Sequence, residues 1–139
     1  MSYYFAVFMP TAEGHYAVEF PDFPEGFTQG NDLADCLVMG ADVLSIAVEE
    51  YARARKRLPE PSSFEQVRAW AASQRGGKGL AHDREFLFQL FQAPSADMTP
   101  VRVSVSFSKS ALDAIDAKAK KAGFTRSGFL AHAARCYQV

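Results

Sequence analysis

Near the C-terminal end, Val101-Arg102-Val103-Ser104-Val105-Ser106-Phe107 alternates apolar and polar residues and runs straight into two short amphipathic helical patterns. A period of two predicts a strand with one face apolar and one polar. Nothing between this segment and residue 139 reads as a second strand, and a lone strand leaves its backbone donors and acceptors open. The simplest resolution is pairing with the same segment of a second chain, as a two-stranded antiparallel ribbon over four interlocked helices. Val101, Val103, Val105 and Phe107 then face a dimer core shared with Leu112, Ile115, Phe129 and Leu130, while Arg102, Ser104 and Ser106 face outward. Such a ribbon fits the major groove of DNA, where arginine can grip guanine in two-pronged fashion and serine can donate or accept. The plainer alternative is a half-buried strand with a solvated polar face.

The flanking helices favour the DNA reading. Ser108 is placed to cap a helix running to about Ala122, with Leu112, Ile115 and Ala119 on one stripe and Gly123 as a left-handed stop. Thr125 caps a second helix whose inner side is Phe129, Leu130, Ala133 and Ala134. The first turn, Thr125-Arg126-Ser127-Gly128, offers open backbone amides, two hydroxyls and a guanidinium, a set suited to phosphate. Lys109 joins Thr125, Arg126 and Ser127 as an expected phosphate contact. Ordinary capping beside a solvated arginine is the alternative for this turn.

Residues 101–139 resemble a ribbon-helix-helix DNA-binding domain, in the order strand, Ser-Lys-Ser, helix, Gly-Phe-Thr-Arg-Ser, helix. The resemblance implies an obligate dimer whose ribbon reads bases while the start of the second helix clamps the DNA backbone. A helix-turn-helix would leave the preceding strand unexplained, and its reading helix would carry only the sparse polar face of His132, Arg135 and Gln138.

Charge divides the chain in the same way. The overall formal charge is −1, but residues 99–139 hold seven Lys and Arg against two Asp, and residues 1–98 hold eight against fourteen acidic groups. A basic tail on an acidic body predicts a DNA-binding module joined to something that does not touch DNA. The apolar start, Tyr3 to Met9, is too short for a secretory signal and lacks a basic leader, and no stretch approaches the roughly 20 apolar residues of a membrane span. Cys36 and Cys136 stand far apart with no metal-ligand spacing, so each is expected to serve as a small apolar side chain in a reducing cytoplasm. No cofactor or metal is expected.

In the body, Tyr3–Met9 and His15–Phe20 read as strands, Pro21–Gly26 as a loop and Phe27–Gln29 as a short third strand. A long helix is expected from Asn31 to about Arg57, with Leu33, Leu37, Ala41, Leu44, Val48 and Tyr51 as its buried stripe and the cations at 53–57 gathered at its C-terminus. Ser62 or Ser63 opens a second helix through a capping box, packed by Phe64, Val67 and Trp70 or Ala71. Residues 74–85 read as a glycine-rich loop without the spacing of a phosphate loop. Phe86–Phe91 reads as a closing strand. The expected class is α+β, with a βββα(α)β body at 1–92, a linker at 93–99 and the helical tail at 100–139.

Gly14-His15-Tyr16-Ala17-Val18-Glu19-Phe20-Pro21-Asp22-Phe23-Pro24, then Phe27-Thr28-Gln29-Gly30, and finally Leu58-Pro59-Glu60-Pro61-Ser62 resemble the HicB antitoxin family. The family often has Gly-Cys after the second proline; here Glu25-Gly26 moves the glycine by one place. The resemblance implies a partial ribonuclease H-like N-terminal domain that binds and occludes a HicA-type mRNA-cleaving toxin. It also implies repression of the chain's own operon through double-stranded operator DNA. A homodimer through the tail leaves two bodies free to pair again, which allows a tetramer. Two other readings stand beside it. A nuclease would need carboxylates converging on metals, and Glu13, Glu19, Asp22, Asp32 and Asp35 form no evident set, so no catalytic residue is assigned. A regulator or dimeric protein-binding inhibitor without a HicA toxin would keep the fold and change the partner.

Overall fold

The computed structural model describes residues 2–97 and 99–139; Met1 and Met98, the latter within the expected linker, lie outside them. The chain divides into two compact units, Met1–Thr99 and Pro100–Val139. In the first, strands β1 (Tyr3–Pro10), β2 (Tyr16–Phe20), β3 (Phe23–Gly30) and β4 (Leu87–Gln92) form an antiparallel sheet in the order β3-β2-β1-β4. Helix α1 (Leu33–Arg53) lies on one face and α2 (Phe64–Gln74) on the other.

The central strand β1 reads as a nearly continuous apolar run because both its faces are covered. Tyr4, Ala6 and Phe8 pack with Val18, Phe20 and Leu44 beneath α1, while Val7 and Met9 pack with Val67, Ala71 and Phe86 beneath α2. Each large side chain buried this way contributes about 1.5–3 kcal/mol. Phe91 of β4 reaches the α1 side and meets Phe20 and Phe8 edge-on, with centroids 5.4 and 6.3 Å apart.

Helix α1 departs from the sequence expectation at both ends and along its face. Its cap is Asp32, which accepts from the Asp35 amide at 2.7 Å, and Asp35 in turn accepts from the Asn31 amide at 2.8 Å. The buried stripe is Cys36, Gly40, Leu44 and Val48; Leu33, Leu37 and Ala41 are exposed. Close approach explains the difference. A Cβ on Gly30 would sit 2.6 Å from the Cys36 sulfur, and one on Gly40 would sit 2.7 Å from the Phe91 ring. The helix therefore meets the sheet over its smallest residues. It ends at Arg53 rather than near Arg57, with Arg55 in the left-handed region at φ 54° and the Lys56 amide donating back to the Tyr51 carbonyl.

Strand β3 begins at Phe23, inside the segment expected to be a loop. A bulge between Glu19 and Phe20 shifts the register so that Phe20 pairs with Phe23, and the proline-rich stretch continues as an edge strand. Edge position tolerates Pro24, which has no amide to donate. Beyond α1, Leu58–Ser62 is tied down twice: the Tyr4 hydroxyl donates to the Pro59 carbonyl at 2.7 Å, and Asp22 accepts from both the amide (3.0 Å) and the hydroxyl of Ser62. Ser63 then closes a capping box with Gln66 and starts α2. Val67 and Ala71 are buried, and Phe64, although exposed, packs its ring on Phe5 and Phe88. After β4 the Ala93 amide donates to the Ser2 carbonyl at 2.8 Å, and Ala93 and Ala96 pack against the core.

The second unit holds α3 (Lys109–Ala122) and α4 (Arg126–Cys136). Ser108 accepts from the Ala111 amide, Gly123 turns left-handed at φ 77°, and Thr125 accepts from the Gly128 amide at 3.1 Å. Among the described residues of this unit only Ala119 is buried; Ala133 and Ala134, expected on the inner side of α4, are exposed. Cys36 is buried as expected, whereas Cys136 is exposed, its sulfur 3.6 Å from His132 Nε2. Among the described residues, no helix is long and apolar enough to cross a membrane.

Candidate nucleic-acid and partner interfaces

Residues 101–107 form no strand ladder with any of the described residues. Their apolar members stand open to solvent: Val101 and Val103 are 79% exposed, Val105 67% and Phe107 42%. Arg102, Ser104 and Ser106 are exposed as well. Leu112 and Ile115 of α3 and Phe129 and Leu130 of α4 are half-buried, so the two helices leave part of the unit's own apolar surface uncovered.

The expected phosphate contacts gather at the start of α4, except Lys109. That residue begins α3 and pairs with Asp113 one turn on at 3.3 Å. The Thr125 hydroxyl is taken by the Gly128 amide, while Ser127 is exposed in the first turn. The Arg126 guanidinium is already held. Its Nε and Nη2 each donate to Asp116 of α3 at 2.8 Å, a two-pronged pair bridging the helices. The hydrogen bonds from Arg126 hold the Asp116 carboxyl below its ordinary value, and the carboxylate holds the guanidinium above its own. Asp116 was not singled out from the sequence. It lies ten positions before Arg126, across the Gly123 turn, and local capping patterns do not register such a pair.

In the first unit, the outer edge of β3 and the adjacent flank of α1 enclose a groove of about 560 Å³. Its apolar surface comes from Phe23, Phe27, Val43, Ile46, Ala47 and Tyr51, with Glu25, Glu50 and Lys56 also lining it. Gly26 lies at its base, where a Cβ would come within 3.0 Å of the Phe23 side chain. The crowding there is within the strand itself, since Val43 of α1 would sit at an ordinary 3.5 Å from that Cβ.

Three of the five carboxylates weighed for metal chemistry have structural partners. Asp22 holds Ser62, Asp32 caps α1 and Asp35 receives the Asn31 amide. Glu19 lies mid-strand on β2, where burial raises its carboxyl above the ordinary value. Glu13 is exposed in the turn after β1.

Comparison with known proteins converges on one group. The profile of the HicB-like antitoxins of bacterial toxin–antitoxin systems matches residues 4–134. Antitoxin HicB 1 of Photorhabdus laumondii is 40% identical over 57 residues, which cover 41% of this chain and 37% of that protein. Antitoxin HicB of Escherichia coli K12 is 38% identical over 53 residues, 38% of each chain. These matches thus span less than two fifths of the length of the curated relatives. Among solved structures, the Burkholderia pseudomallei antitoxin HicB superposes with a TM-score of 0.58 at 23% identity, covering 96% of this chain and 94% of that one. A toxin–antitoxin complex from Streptococcus pneumoniae contains a chain with a TM-score of 0.56 at 22% identity, covering 95% of each. These are likenesses of fold, an α+β arrangement with a four-stranded antiparallel sheet and four helices. With a family match over nearly its whole length, the chain belongs to the HicB-like antitoxins of bacterial toxin–antitoxin systems.

Proposed function

We propose that this antitoxin neutralises a HicA-type mRNA-cleaving toxin by binding and occluding it, and represses its own operon by sequence-specific DNA binding. In this reading the first unit is a partial ribonuclease H-like toxin-binding domain and the second a ribbon-helix-helix domain. The protein acts by occlusion and has no catalytic chemistry of its own. Occluding a toxin's active face calls for a stable interface, typically about 1,200–2,000 Å². The toxin–antitoxin complex among its structural neighbours supports a toxin as partner.

The observation that carries the DNA half is the exposed alternation of Val101, Val103, Val105 and Phe107. Four apolar side chains at every second position, left open by their own chain, call for a partner of the same period. A second copy satisfies both the side chains and the open backbone, and turns Arg102, Ser104 and Ser106 to the outer face of the ribbon. Lys109, Thr125, Arg126 and Ser127 then meet the phosphates on either side.

Binding of the full-length protein to DNA from upstream of its own gene, against scrambled DNA across a salt series, tests the repressor half. Tight, sequence-preferring binding that weakens steeply with salt is expected. Absence of binding at low salt would reduce the second unit to a dimerisation device. Co-expression with a HicA-type toxin from the same genome, scored by growth and mRNA integrity, tests the neutralising half.

A further inference from the structure

The first 52 residues contain nine carboxylates and no lysine or arginine; every cation of the first unit comes later, from Arg53 onward. These residues are β1, β2, β3 and nearly all of α1. β3 is an edge strand, and α1 runs back along it, with Val43 above Gly26 and the Tyr51 ring edge-on to Phe23 at 5.6 Å. The groove between them therefore lies in the part of the fold where negative charge is concentrated.

We infer that this β3–α1 groove is the seat of the toxin: it takes apolar side chains from a basic, RNA-binding protein face, with Glu25 and Glu50 meeting that face's cations. The inference rests on the toxin-binding reading and adds to it the surface and the residues. Phe27, 66% exposed on the outer strand, is the largest uncovered apolar group lining the groove, and Ile46 stands opposite on the helix. An exposed aromatic beside a half-buried apolar floor has the make-up of an interface centre, and its carboxylate rim would steer a cationic partner. Glu25 and Glu50 are both exposed. Lys56 is the single cation among the lining residues and belongs to the chain leaving α1, outside the helix. A second copy of this chain fits less well, because it would bring the same carboxylates against each other.

The test uses the full-length protein and a purified HicA-type toxin from the same genome, with binding followed kinetically at low and high salt. Phe27→Ala should weaken binding about tenfold, mainly through faster dissociation. The double variant Glu25→Lys with Glu50→Lys should slow association about tenfold at low salt, with the difference shrinking as salt is raised. Glu65→Lys, an exposed reversal on α2 across the sheet, should change neither rate by more than about twofold. Trp70 fluorescence verifies that each variant is folded. Wild-type affinity in folded groove variants would overturn the groove as the seat while leaving the toxin reading intact. A change of oligomeric state in Phe27→Ala would assign the groove to a second copy and overturn it too. Failure of the wild-type protein to bind would refute the toxin reading, and this inference with it.

Discussion

Asp22 joins two parts of the first unit that are 40 residues apart, and its removal has a magnitude that can be worked out. The carboxylate accepts from the Ser62 amide at 3.0 Å and from the Ser62 hydroxyl, with both residues half-buried. A hydrogen bond to a charged group contributes about 1.5–3 kcal/mol, and partial access to water lowers each contribution because solvent can replace the lost partner. Asp22→Ala should therefore cost about 2–3 kcal/mol. Ser62→Ala removes only the hydroxyl and should cost about 1 kcal/mol, since the amide bond survives. The double variant should fall short of the sum by about 1 kcal/mol, the signature of groups acting through one contact. Urea unfolding followed by Trp70 fluorescence is the assay. Trp70 is the sole tryptophan and sits in α2, the helix that Ser62 precedes, so the signal reports the first unit alone. A loss below about 0.5 kcal/mol for Asp22→Ala, or strictly additive losses, would refute the reasoning.

Four further outcomes are expected. Val103→Asp should abolish dimerisation in sedimentation experiments, because it buries an unpaired charge in the ribbon core; a folded dimer would exclude the strand pairing. Arg102→Ala should relax base preference at one operator step by about 1–3 kcal/mol in competition binding, and unchanged preference would mean that the outer face is misassigned. Asp116→Asn should free Arg126, tighten binding to non-specific DNA and steepen the logarithmic salt slope by roughly one; weaker binding would show that the pair orients Arg126 productively. Burial raises the Glu19 carboxyl, so the native state holds a proton there that the unfolded chain has released, and stability falls as pH rises from the unfolded towards the folded value. Glu19→Gln should remove that decline and raise the urea midpoint at neutral pH, and a lower midpoint would contradict it.

Features set by short-range chemistry were legible in the sequence. Ser63 with Gln66, Ser108, Gly123 and Thr125 all act where capping and left-handed turns require them, and β1, β2 and β4 lie within a residue or so of their alternating runs. Choices that depend on what a segment meets across space were not. Counting apolar residues selected Leu33, Leu37 and Ala41 for the buried stripe, although the helix rests on Cys36 and Gly40. The readable signal was the spacing of two small residues ahead of Leu44 and Val48, with Gly30 just before the helix. The start of β3 was hidden for a related reason. Its prolines read as a loop, and an outer strand next to a bulge accommodates them. Within the candidate sites, the type of residue at each position was readable, whereas the Asp116–Arg126 pair and the groove beside Phe27 depend on elements meeting in three dimensions.

The sparse interior of the second unit has a consequence for how the amount of protein is sensed. With Ala119 as its one buried residue among those described, that unit has little of its own to hold it, whereas the first unit closes a core on both faces of its sheet. A fold completed by a second copy has a stability that depends on the concentration of that copy. On the proposed pairing, dilution should loosen the tail while the body stays intact, so that a scarce protein would release operator DNA before losing the fold proposed to hold a toxin. The two ends of one polypeptide would then respond to abundance differently, the tail as a gauge of copy number and the body indifferent to it.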